Sequence, residues 1–155
     1  MSFCKLNGIS LFVAMLALFP LTLFAANNTP IGYWKTVDDV TGEAKSIIHI
    51  ERLSDQTLAG RVVKLFEHPD KRCVNCSGAE HDQPILGLAV MHGLKQDVKE
   101  PTLWSKGTIL DPKNGHRYHC QIQMLNEGQV LSVRGYFGTP LFGRSQTWVR
   151  SKDPQ

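Results

Sequence analysis

The sequence predicts an all-β domain: an eight-stranded antiparallel up-and-down barrel that follows an N-terminal export signal. Three observations predict the barrel. Downstream of Pro30, eight short runs rich in β-branched and aromatic residues each end at a turn signal. Within the clearest runs, apolar and polar side chains alternate with the period of a half-buried strand. No segment in this region sustains an apolar i, i+3, i+4, i+7 stripe, and Gly and Pro recur at intervals that would break a helix.

The chain opens "MSFCKLNGISLFVAMLALFPLTLFAANNTP". Lys5 is the only charge before Lys35, an apolar run extends from Ile9 to Phe24, and small residues follow at Ala25 and Ala26. A charge, an apolar stretch and small residues in that order mark a secretory signal peptide. The run is broken by Pro20 and falls short of the roughly 20 apolar residues of a spanning helix. Residues 1–25 are therefore assigned to the signal peptide and residues 26–155 to a single domain, periplasmic or secreted.

The strands follow in order. "IGYWKTV" leads into the turn "DDVTGE", and "KSIIHIERL" into "SDQ". "TLAGRVVKLF" runs to a loop with two cysteines, "ILGLAVMHGLK" to "QDVKEP", and "LWSKGTIL" to "DPKNG". "HRYHCQIQML" ends at "NEG", "QVLSVRGYF" at "GTPLFG", and "RSQTWVR" closes the series. Along the sixth run, Tyr118, Cys120, Ile122 and Met124 share one face, with His119, Gln121 and Gln123 opposite. Along the seventh, Leu131, Val133 and Gly135 oppose Ser132, Arg134 and Tyr136. Short connections make successive strands antiparallel neighbours. Closing the sheet on itself removes its two exposed edges. A two-sheet sandwich is the structural rival.

The domain keeps 16 of the 17 basic residues and all 14 acidic ones, a net charge of +2 (16 minus 14). The charges are interspersed, without the basic patch that a nucleic-acid partner requires.

The segment "RCVNCSGAEHD" admits three readings. A redox C-x-x-C sits at a helix N-terminus, but Gly78 and Pro84 leave room for no more than a short turn. His68, Cys73, Cys76 and His81 form H-x4-C-x2-C-x4-H, a ligand set suited to tetrahedral zinc but with its two pairs closer than zinc sites usually place them. The third reading is a disulfide staple in an oxidising compartment. A local Cys73–Cys76 bridge is favoured. A bridge from either to Cys120 stays open, since the longer loop would contribute about 4 kcal/mol against roughly 2 for the short one. Without that bridge, Cys120 is a buried free thiol. No metal or other cofactor is expected.

The motifs "GYWKTVDDVTGEAKSIIHI", "CVNC", "GLAVMHGLK", "ILDPKNGHRYHC" and "VRGYFGTPLFGRSQTW" occur in order from Ile31 to Arg150. Together they resemble the exported bacterial family called domain of unknown function 2147, with a lipocalin-like, or calycin, barrel. The G-x-W of "IGYWK" is similar to the calycin signature. That resemblance implies that Gly32 and Trp34 begin the first strand and that an Arg of the last strand, Arg144 or Arg150, packs over the indole and closes the barrel. The family usually carries Trp where this chain has His92. The resemblance implies a barrel outside the cytoplasm and no established activity.

An eight-stranded barrel is wide enough to hold one small ligand. Candidate contacts inside it are Trp34, His92, Tyr118, Ile122, Met124 and Trp148, with Arg134 as a polar anchor for an anionic head group. His49 and His119 read as outward-facing, and Asp38 and Asp39 as a turn. No nucleophile elbow, phosphate loop or H-E-x-x-H occurs, so no catalysis is expected. Phe137, Leu141 and Phe142 make the 137–143 loop a candidate contact for a membrane surface or a second copy of the chain. The reading is an exported lipocalin-like protein that binds a small apolar or amphipathic ligand. Two alternatives stand beside it: a packed-core envelope module acting through its surface loops, and a metal or redox protein built on Cys73 and Cys76.

Overall fold

The computed structural model describes residues 29–153; the expected signal peptide, residues 1–25, lies outside them. Eight strands follow one another: β1 (Gly32–Val37), β2 (Ala44–Arg52), β3 (Leu58–Leu65), β4 (Ala89–Gln96), β5 (Leu103–Asp111), β6 (His116–Leu125), β7 (Val130–Tyr136) and β8 (Gly143–Ser151). Each pairs antiparallel with the next, and β8 returns to β1, closing the barrel. The closed sheet replaces the sandwich rival. The largest boundary difference falls at the fourth strand: its run is expected to begin at Ile85, but Leu88 N–H donates back to Ile85 O at 3.0 Å and Gly87 has φ +89°. These residues form a turn, and the strand starts at Ala89.

The register shows why alternation worked. Cys120 lies opposite Gly135, Ile122 opposite Val133 and Met124 opposite Leu131. Leu131 in turn faces Trp148, and Trp34 faces Ile48. Each inward residue thus meets an inward residue on the next strand, because side chains on a strand change face at every step.

The two ends of the barrel differ. At one end, Trp34, Ile50, Leu58, Leu94, Trp104, Ile122 and Leu131 are at most 1% exposed. Each such side chain stabilises the fold by about 1.5–3 kcal/mol. Packing there is close enough to require glycine at position 107, where a Cβ would stand 2.6 Å from Leu94 Cγ and 2.7 Å from the His92 carbonyl. Arg150 seals this end. Its guanidinium carbon lies 4.3 Å from the Trp34 ring centroid. Its Nε, Nη1 and Nη2 donate to the carbonyls of Gly128 (2.6 Å), Ile31 (3.1 Å) and Thr29 (2.7 Å).

At the other end lie the β1–β2, β3–β4, β5–β6 and β7–β8 connections. Here the seam of the barrel parts. β1 and β8 pair only at Tyr33–Ser151, Trp34–Arg150 and Lys35–Val149, while residues 143–148 of β8 pair with β7 alone. Arg144 crosses the parted seam to form an ion pair with Asp39.

Candidate ligand-binding cavity

A cavity of about 930 Å³ occupies the open half of the barrel and reaches the rim loops. This lies within the range of about 300–1,000 Å³ typical of small-molecule sites. The strands build it by continuing their inward rows past the packed end. Val62 of β3, Val90 of β4, Ile109 of β5, Tyr118 of β6 and Val133 of β7 supply an apolar wall. The wall across from it is polar and spans three neighbouring strands: Gln146 of β8, Thr36 of β1 and Ser46 of β2. The hydroxyls of Thr36 and Ser46 share a 2.8 Å hydrogen bond. The indole Nε1–H of Trp148 donates to Gln146 Oε1 at 3.3 Å.

Charges line only the rim. The Asp38 carboxylate accepts from the backbone N–H groups of Thr41 and Val40, which hold its pKa below the usual carboxylate range. Lys45 pairs with Glu43 and Glu67. Asp111, Lys113, His68 and Lys71 complete the ring from loops or strand ends.

The β3–β4 loop forms one side of the rim and carries the cysteine motif. Cys73 and Cys76 are joined to each other, with Cα atoms 5.3 Å apart, and both are buried. The loop is clamped to the β5–β6 turn. Asn75 Nδ2 donates to Lys113 O at 2.8 Å, and Arg117 forms an ion pair with Glu80 at 2.9 Å. Gly115 has φ +74°, and a Cβ there would fall 1.8 Å from the Asn75 carbonyl oxygen. Backbone conformation and close approach therefore both require glycine. His81 Nδ1 lies 2.9 Å from Cys76 O, inside the loop's own hydrogen bonding. Cys120 is a buried free thiol, and burial pushes its pKa up to about 12.

Of the residues expected inside a binding site, Tyr118 and Trp148 line the cavity. Trp34, Ile122 and Met124 belong to the packed core, with the indole of Trp34 donating to Pro30 O at 2.7 Å. His92 is half-buried, lies off the cavity wall, and has Nε2 3.3 Å from Ala89 O. These four are not cavity contacts, and the expectations for two arginines are corrected as well. Arg134 is not a polar anchor inside the barrel. Its face is opposite that of Leu131 and Val133, and it donates to Pro140 O (2.6 Å), Leu141 O (3.4 Å) and Ser145 Oγ (3.0 Å), fastening the 137–142 loop from outside. Arg144 does not close the barrel. It lies six residues before Arg150 in an antiparallel strand, which puts it at the opposite end.

Thr36, Ser46 and Gln146 were missed. Each stands two residues from a buried inward neighbour (Trp34, Ile48 and Trp148) on the side toward the open end. Same-face counting from those anchors finds all three.

Fold and site together define a lipocalin-like eight-stranded barrel, packed at one end and hollow at the other. The chain belongs to the family described as an uncharacterized protein conserved in bacteria (DUF2147), matched over residues 32–150. Among solved structures it is similar to protein HP1028 from Helicobacter pylori, which belongs to the lipocalin family. The TM-score is 0.69 at 13% sequence identity, over 81% of this chain and 84% of that one. Comparison with curated proteins finds no match.

Proposed function

We propose that the protein is an exported binding protein without catalytic activity, holding a small apolar or amphipathic ligand in the open half of its barrel. The observation that carries this reading is the cavity of about 930 Å³, with its apolar inner wall and its charges confined to the rim. Burial of ligand surface would drive binding at about 25 cal/mol per Å², less the cost of ordering the ligand. The buried Cys73–Cys76 disulfide suits an oxidising compartment outside the cytoplasm. In this reading it is a structural staple at the cavity rim. Phe137, Leu141 and Phe142 are 58%, 79% and 73% exposed beside the open end, which suits transient contact with a membrane surface during loading.

Native mass spectrometry of protein purified from the envelope tests the proposal. A co-purifying small molecule lost on denaturation is expected. A bare protein that also takes up no apolar probe would favour the packed-core module acting through its loops.

A further inference from the structure

We propose that the cavity selects an uncharged amphiphile, such as an ester, over the corresponding carboxylate, and that Gln146, Thr36 and Ser46 receive the ligand's oxygen. This deepens the binding reading and rests on it.

The argument starts from which hydrogen-bonding groups remain open. An indole N–H can only donate, so the Gln146 atom facing Trp148 is Oε1. The amide is thereby oriented, and its Nε2, with two N–H donors, has no hydrogen-bond partner among the described residues. Thr36 and Ser46 hold two hydroxyls but share one hydrogen bond. The remaining contact, from Thr36 Oγ1 to Ser46 O, is 3.5 Å, at the outer limit of a hydrogen bond. The polar wall therefore offers neutral donors. Their complement is an acceptor oxygen: a carbonyl, ester or ether.

Charge decides between a neutral acceptor and a carboxylate. Every charged side chain lining the cavity lies on a loop or within two residues of a strand end, and Arg144 and Lys45 are already paired with acids. Arg134, the cation expected to meet an anionic head, is spent on the outer loop. A carboxylate at Gln146 would leave water for a wall whose nearby cations, Arg144 and Lys45, already hold acids, with Lys71 and Lys113 out on the rim loops. That transfer is costly. A neutral ester loses far less hydration and regains it from the amide and hydroxyls. The wall of Val62, Val90, Ile109 and Val133 takes the alkyl chain.

The test compares three probes on the exported protein at about pH 8, where a fatty acid is ionised: monodecanoylglycerol, decanoate, and the apolar fluorophore N-phenyl-1-naphthylamine. The ester should bind at least about tenfold more tightly than decanoate. Gln146→Leu should lower the ratio of ester to naphthylamine affinity about fivefold or more. Gln146→Arg should reverse the preference toward decanoate. Circular dichroism establishes that both variants fold, and Thr36→Val supplies an independent loss on the same wall. Decanoate binding as well as the ester, or an ester-to-naphthylamine ratio unmoved by Gln146→Leu, overturns the inference while leaving the binding reading intact. Failure of all three probes to bind overturns both.

Discussion

The guanidinium carbon of Arg150 lies over Trp34, 4.3 Å from the ring centroid, while its nitrogens hold three carbonyls from two other parts of the chain. One side chain near the C-terminus thus joins the segment before β1, the turn after β6 and the indole at the barrel's base. Desolvation of this half-buried group lowers its pKa from the usual arginine value, but the three carbonyl acceptors and the π face favour the cation.

Arg150→Ala should lower stability by about 2–4 kcal/mol, combining a lost cation–π contact with charge-assisted hydrogen bonds. Arg144→Ala removes only an exposed ion pair across the seam and should cost less than about 1 kcal/mol. Urea denaturation of the two variants provides the comparison. Equal losses would show that closure is shared between the ends.

Much of this was legible in the sequence. Alternation and turn residues placed the strands because each inward row is a physical face, and a face constrains composition. The choice between Arg144 and Arg150 was not legible. Both lie on the inward face of β8 with Trp148, and alternation distinguishes faces but not ends. The outward position of Arg134 was legible, since it occupies the face opposite Leu131 and Val133. The clamp between Asn75 and Gly115 joins segments about forty residues apart in sequence, and no local pattern records such a contact.

Gly115→Ala should destabilise the protein by about 2 kcal/mol or more, exceeding the roughly 1 kcal/mol of a strained turn alone, because the new methyl meets the Asn75 carbonyl. Hydrogen exchange should show lost protection at Cys73 and Asp82, whose amides bond within the clamped loop. Gly42→Ala has a similar φ of +73° but open space around it, and should show the turn cost only.

Cys120 should resist aqueous thiol reagents in the native exported protein, react as a single thiol after unfolding without reductant, and give three thiols after unfolding with reductant. The pH dependence follows in sign. Its folded pKa, about 12, lies above the ordinary value of 9.0. The unfolded chain therefore loses its proton first as pH rises, and the associated stability is intact below about pH 8 and declines above about pH 9. Cys120→Ala should flatten that alkaline slope in thermal unfolding.

The central claim is that the ligand occupies the open half of the barrel and leaves the packed half untouched. Of the three tryptophans, Trp34 and Trp104 are sealed in the core and Trp148 lines the cavity. Titration with N-phenyl-1-naphthylamine, followed by energy transfer from tryptophan, tests the claim most directly. The transfer should rise and saturate in the native protein and in Trp104→Phe, and fall by more than half in Trp148→Phe when corrected to equal occupancy. Transfer undiminished in Trp148→Phe would place the bound probe elsewhere and contradict the account.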